Sequence, residues 1–208
     1  MKPALRKLTL TSHVTFSVGW LGAVASFLVL SIAGLASRDV ETVRAVYLSM
    51  NLIGQFIIVP LSIAALISGL VQSLGTHWGL FRHYWVLVKF ALTVGATILL
   101  LLHQFTAVAV AASRVSGSAA GTLPQVGRLG TQLVGDAGLA VLVLLATTTL
   151  SVYKPWGLTP HGRRMREERS APSGGPGLGL KIALAIIAAI VTAFIVLHLL
   201  GGGLHHGA

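Results

Sequence analysis

Charged residues are absent from three long stretches of the chain, residues 8–37, 45–81 and 90–113. Within each, apolar residues run on instead of recurring as a narrow stripe. Each stretch exceeds the roughly 20 residues an α-helix needs to cross a hydrocarbon layer. The pattern predicts five spans, at about residues 8–36, 45–74, 84–112, 133–153 and 180–200. The first follows a basic "MKPALRK" and contains the small residues "GLAS", as a secretory signal would, but it is far longer than the roughly 7–15 apolar residues of a signal. It is expected to remain as an anchor. The expected fold class is all-α integral membrane, a four-helix transmembrane bundle plus a fifth transmembrane helix.

Composition agrees, with 54% hydrophobic and 10% charged residues, and the absence of cysteine excludes disulfides, thiolate metal sites and thiol catalysis. A net charge of +10 in a soluble protein would point to nucleic acid. Here the bases sit between the spans, where they orient a chain in its bilayer, so the expected partner is lipid and no nucleic acid is expected. Eleven of the fifteen Lys and Arg residues fall on one set of alternate segments: Lys2, Arg6, Lys7, Arg82, Lys89, Lys154, Arg163, Arg164, Arg166, Arg169 and Lys181. The other set holds Arg38, Arg44, Arg114 and Arg128. The N-terminus is expected inside and the C-terminus outside.

The segment "KPWGLTPHGRRMREERSAPSGGPGL", residues 154–178, mixes charge with Pro, Gly and Ser and has no apolar period. It reads as a flexible basic cytoplasmic linker. Three parts follow: a four-span core over residues 1–155, the linker over 156–178, and a fifth span with a short outer tail over 179–208.

Polar residues within the spans carry the candidate chemistry, because ionisable groups inside a bilayer are costly and tend to be functional. At about 1.5 Å of rise per residue, His13 on span one and Lys89 on span three both lie roughly 8 Å inside the cytoplasmic boundary. A second layer near the outer boundary holds Asn51, His103, Gln104, Asp136 and His198. Fourteen residues, nearly four turns, separate Lys89 from His103, so both are expected on one broad face of span three. Pro60 is expected to kink span two by freeing the carbonyl of Phe56. "TTT" at 147–149 and Gly19, Gly22 and Ala23 read as helix-packing residues.

Neutral imidazole can ligate a haem iron or another metal, which makes His103 and His198 a candidate metal pair and His13 a candidate haem ligand. Beside His13, the Lys89 ammonium can meet a propionate, and a buried lysine is also a candidate proton carrier. The plain alternative stays open for both layers: Lys89 snorkels to headgroup phosphate, and the histidines bond neighbouring carbonyls or hydroxyls. No phosphate-binding glycine loop, paired carboxylates or nucleophile with an adjacent base is present.

"SHVTFSVGWLGAV" at 12–24, "PLSIAALISGLVQSLGTHWGLFRHYWVLVKFALT" at 60–93 and "LSVYKPWG" at 150–157 resemble a bacterial multi-pass membrane family defined as a domain of unknown function. That likeness covers most of residues 8–160. More remotely, the first-span His followed by "WLG", with a third span opening "WVLVKFALT" and carrying a His near its far end, is similar to CopD-like copper-resistance proteins and HemJ-type protoporphyrinogen oxidases. The latter resemblance implies a four-helix core in which His13 and Lys89 serve tetrapyrrole binding. The fifth span, the basic linker and spans two and four depart from it. A bacterial plasma membrane is the expected location, with haem b or another tetrapyrrole as the expected cofactor. Three functions stand side by side: a haem- or tetrapyrrole-binding redox protein using His13, Lys89 and His103; a non-catalytic assembly module with a membrane protein partner or a second copy of itself; and a small proton-coupled transporter working around Pro60, Asn51, Gln55 and Lys89.

Overall fold

The computed structural model describes residues 3–75, 79–119, 121–124, 126–154 and 157–168. Four helices are each long and apolar enough to cross a membrane: α1 (Pro3–Ala36), α2 (Val40–Gly75), α3 (Tyr84–Ser116) and α4 (Arg128–Tyr153). A short fifth helix, α5 (Pro160–Glu168), follows. No strand occurs among the described residues; an isolated antiparallel bridge joins His83 to Leu158. The expected fifth span, with His198, lies outside the described residues.

Each long helix runs antiparallel to the next and packs beside it, and α4 closes the ring against α1. α1 buries Trp20, Val24, Phe27, Ser31 and Gly34, and α4 buries Gly130, Leu133, Ala137, Leu144 and Thr147. Both sets follow the alternating three- and four-residue spacing that keeps one seam of a helix on its neighbours. The opposite faces carry exposed apolar residues, among them Val18, Val29, Phe56, Leu142 and Val152. Such surfaces suit a lipid environment. Among the described residues the architecture is all-α, with four apolar helices that could each span a membrane, as a multi-pass protein requires.

Two helices depart from regular geometry. α2 is α-helical over Val40–Ile53 and Val59–Gly75 and takes a π-helical turn over Gly54–Ile58. The expected irregularity near Pro60 thus takes the form of a widened turn just before the proline, whose missing N–H leaves the preceding carbonyls to find other partners. α3 has a second π turn, Gln104–Val108, with no proline to announce it.

The hairpin between α1 and α2 is closed by Asp39, the N-cap of α2, whose carboxylate accepts from the Thr42 amide at 2.9 Å and the Thr42 hydroxyl at 2.6 Å. The Thr42 hydroxyl first, and then its amide, holds this exposed carboxyl below the usual carboxylate range. A group with a depressed folded value stabilises fully above its unfolded value of about 3.9, and the stabilisation is lost as pH falls through the folded value. A small drop in thermal midpoint is expected below about pH 4. Asp39→Asn, which keeps a capping oxygen without a titrating group, should remove that part of the acid dependence.

Beyond α4, the described part of the expected linker, residues 157–168, includes α5. Lys154 adopts the left-handed conformation that stops α4, and the chain then lies against the α2–α3 loop. Thr159 donates its amide to the Arg82 carbonyl at 2.9 Å and its hydroxyl to the Phe81 carbonyl at 2.6 Å. Its hydroxyl oxygen accepts from the Gly162 amide at 3.0 Å, and its carbonyl accepts from the Arg163 amide at 2.9 Å. These bonds cap α5 and fasten it to the loop. Composition carries no sign of these contacts, because most of them are made to or from backbone groups more than seventy residues away in sequence.

Candidate functional site

His13 stands one heptad before Trp20 on the α1 seam, so its side chain faces the bundle. Its Nδ1–H is shared between the Ala65 carbonyl at 3.0 Å and the Ser68 hydroxyl oxygen at 3.1 Å, both on α2. Ser68 is free to accept because its own proton goes to the Ala64 carbonyl at 2.6 Å. A carbonyl can only accept, so Nδ1 carries the proton of the neutral ring and Nε2 presents its lone pair. Gly69 gives the ring its space: a Cβ there would come within 2.8 Å of His13 Cε1.

The Nε2 lone pair faces the Lys89 ammonium of α3 at 3.4 Å. Both side chains are half-buried. Lys89 therefore has an acceptor inside the bundle and does not depend on reaching headgroups. Above it on α3, Thr93 donates to the Lys89 carbonyl and Thr97 to the Thr93 carbonyl, each at 2.9 Å. Residues of three helices thus meet at one point near the end of the bundle that carries Arg6, Lys7 and Arg82. This is the basic end of the bundle.

The other candidates form two separate groups. His103 does not share the Lys89 site: fourteen residues leave about 40° of angular drift along an α-helix, and the imidazole turns to α4. There Nε2 is 2.8 Å from Asp136 Oδ2 and 3.2 Å from the Gln132 amide, while Nδ1 donates to the Leu99 carbonyl at 3.0 Å. Asp136 Oδ2 is buried and receives no well-aligned hydrogen bond, so this close approach and the Gln132 contact are what join the side chains of α3 and α4 here. The expected partner of His103, His198, lies outside the described residues. Among the described residues no three His, Cys, Asp or Glu side chains gather as a metal site.

Gln104 and Asn51 form the second group. Gln104 is buried and donates through Nε2 to Asn51 Oδ1 at 3.2 Å and to the Asn51 carbonyl at 3.4 Å. Its side chain lies directly against Gly54, where any Cβ would collide with the Gln104 amide. The two π turns therefore meet across a polar contact. Gln55, in the α2 turn, is half-buried.

Sequence reasoning placed His13 and Lys89 at one level and missed what holds them: Ser68, Gly69 and the Ala65 carbonyl. The small residues of "ISGL" in span two are the signal that could have found the first two, since small residues mark close approach between membrane helices.

Taken together, fold and site define a class: a multi-pass bundle of apolar helices with a histidine–lysine pair set inside one end. Comparison with protein-family models, with curated proteins and with solved structures finds no match.

Proposed function

We propose that the chain is a multi-pass protein of a bacterial plasma membrane, with its basic end in the cytoplasm, that binds haem b or another anionic tetrapyrrole between His13 and Lys89. The observation that carries this reading is the pair of contacts that hold the His13 ring through Nδ1 and leave Nε2 facing Lys89. Its Nδ1–H is committed to Ala65 and Ser68, the arrangement that orients a ligating imidazole and raises its basicity. The donor set fits the group: His13 would hold iron through Nε2, and Lys89, after turning its flexible stem away from that nitrogen, would meet a propionate. A bound haem would supply one-electron chemistry. The chain's own part is to hold the imidazole, present a cation at the same level and surround both with apolar helices. His103, engaged with Asp136 and Gln132 on α4, is left out of this site. Orientation rests on the excess of Lys and Arg at the basic end.

The test is the absorption spectrum of gently purified full-length protein. A Soret band is expected, abolished in His13→Ala and weakened in Lys89→Ala. Folded protein that shows no Soret band and no spectral change on titration with haemin would overturn the reading and leave the assembly-module alternative.

A further inference from the structure

α5 is a nine-residue helix held outside the bundle by backbone contacts. Besides the Thr159 bonds, the Tyr84 amide donates to the Gly157 carbonyl at 3.4 Å, and Gly162 lies so close to Arg82 that a Cβ would collide with the Arg82 carbonyl oxygen. A loosely tethered charged helix would drift in solvent. This one is pinned beside the first turn of α3, at the level where the apolar helices end.

That level can be fixed from the side chains around it. Tyr84 opens α3 and Tyr153 closes α4, and both are exposed, as aromatic residues are at the boundary between hydrocarbon and headgroups. Arg163 and Arg164 are exposed on α5, and Arg6 and Lys7 are exposed on the first turns of α1, which begins at the same end. The sequence of α5, "PHGRRMREE", brings two acidic residues, and only at its far end. Cations are thus held at headgroup depth on a rigid support.

We infer that α5 forms a docking surface for the phosphate of an anionic phospholipid, with Arg163 and Arg164 as its principal contacts. Lipid is favoured over a dissolved anion because the cations are exposed and lie where lipid phosphates are concentrated. A basic residue at a membrane surface favours anionic lipid by severalfold. Two adjacent arginines on a fixed helix should therefore enrich such lipid around the protein by about tenfold over a neutral surface. The inference is independent of tetrapyrrole binding.

The experiment uses full-length protein in nanodiscs of phosphatidylcholine containing a minor share of phosphatidylglycerol, with the co-isolated lipid measured after partial delipidation. Wild type should retain phosphatidylglycerol about tenfold above its bulk share. Arg163→Gln combined with Arg164→Gln should lose most of that enrichment, whereas Arg163→Lys combined with Arg164→Lys should keep it. Enrichment unchanged in the Gln pair would overturn the assignment. So would enrichment abolished by inorganic phosphate at constant ionic strength, which would mark a site for soluble anions.

Discussion

His13→Leu is expected to destabilise the bundle more than Lys89→Leu, although histidine is the less polar residue. Removing the imidazole leaves the Lys89 ammonium half-buried without the acceptor at 3.4 Å, whereas removing the lysine leaves a neutral ring still bonded to Ala65 and Ser68. A hydrogen bond to a charged group contributes about 1.5–3 kcal/mol, and an orphaned partner adds its own desolvation cost. Losses of about 3 kcal/mol for His13→Leu and about 1 kcal/mol for Lys89→Leu are expected on that scale. The double variant should lose less than the two combined, by at least about 1 kcal/mol. Unfolding in mixed micelles measures all four corners of the cycle. Additivity within about 0.5 kcal/mol would show that the pair is not coupled. Because the chain has no native cysteine, His13→Cys with Lys89→Cys gives a geometric check: a short bifunctional thiol reagent should link the pair within one chain, and moving the second thiol to Ile98 should abolish the link.

The second large effect is expected from Gly162→Ala. The added methyl would meet the carbonyl oxygen, carbonyl carbon and Cα of Arg82, all backbone atoms with no rotamer to escape into. α5 must then lift, giving up the Thr159 bonds to Phe81 and Arg82. At about 0.5–1.5 kcal/mol each, losing two bonds makes local opening easier by a factor between about five and about 150. Trypsin cleavage after Arg163 and Arg164 should accelerate by that factor while the four long helices keep their circular dichroism. Unchanged cleavage would mean that α5 is not fixed in this way.

The long helices were legible because membrane spans declare themselves by what they lack. The charge-free run from residue 8 to 37 gave α1 almost to its last residue, and depth arithmetic set His13 level with Lys89. What stayed hidden depends on direction around a helix axis or on contacts distant in sequence. His103 belongs to α4 because of drift that residue spacing reports only coarsely. Gln132 gave no signal, being one amide among the polar residues that open α4. α5 was obscured by its own composition, since Pro, Gly and consecutive arginines argue for disorder unless a neighbour supplies partners, and its partners are carbonyls of a loop that hydropathy treats as a connector.

A π turn has a consequence for how these helices tolerate changes in length. It accommodates one more residue than the α-helical turn it replaces, so the segments before and after it are out of phase by one residue, about 100° of rotation. Gly54–Ile58 and Gln104–Val108 each hold such a surplus residue. A single deletion within either would let the helix run regularly from end to end, a gain in local hydrogen bonding. It would also swing everything beyond the deletion round the helix axis, carrying Ala65, Ser68 and Gly69 away from His13 if the loss is in α2, or Ala111 and Val115 away from the core if it is in α3. Insertions and deletions, more than substitutions, are therefore what these two turns forbid.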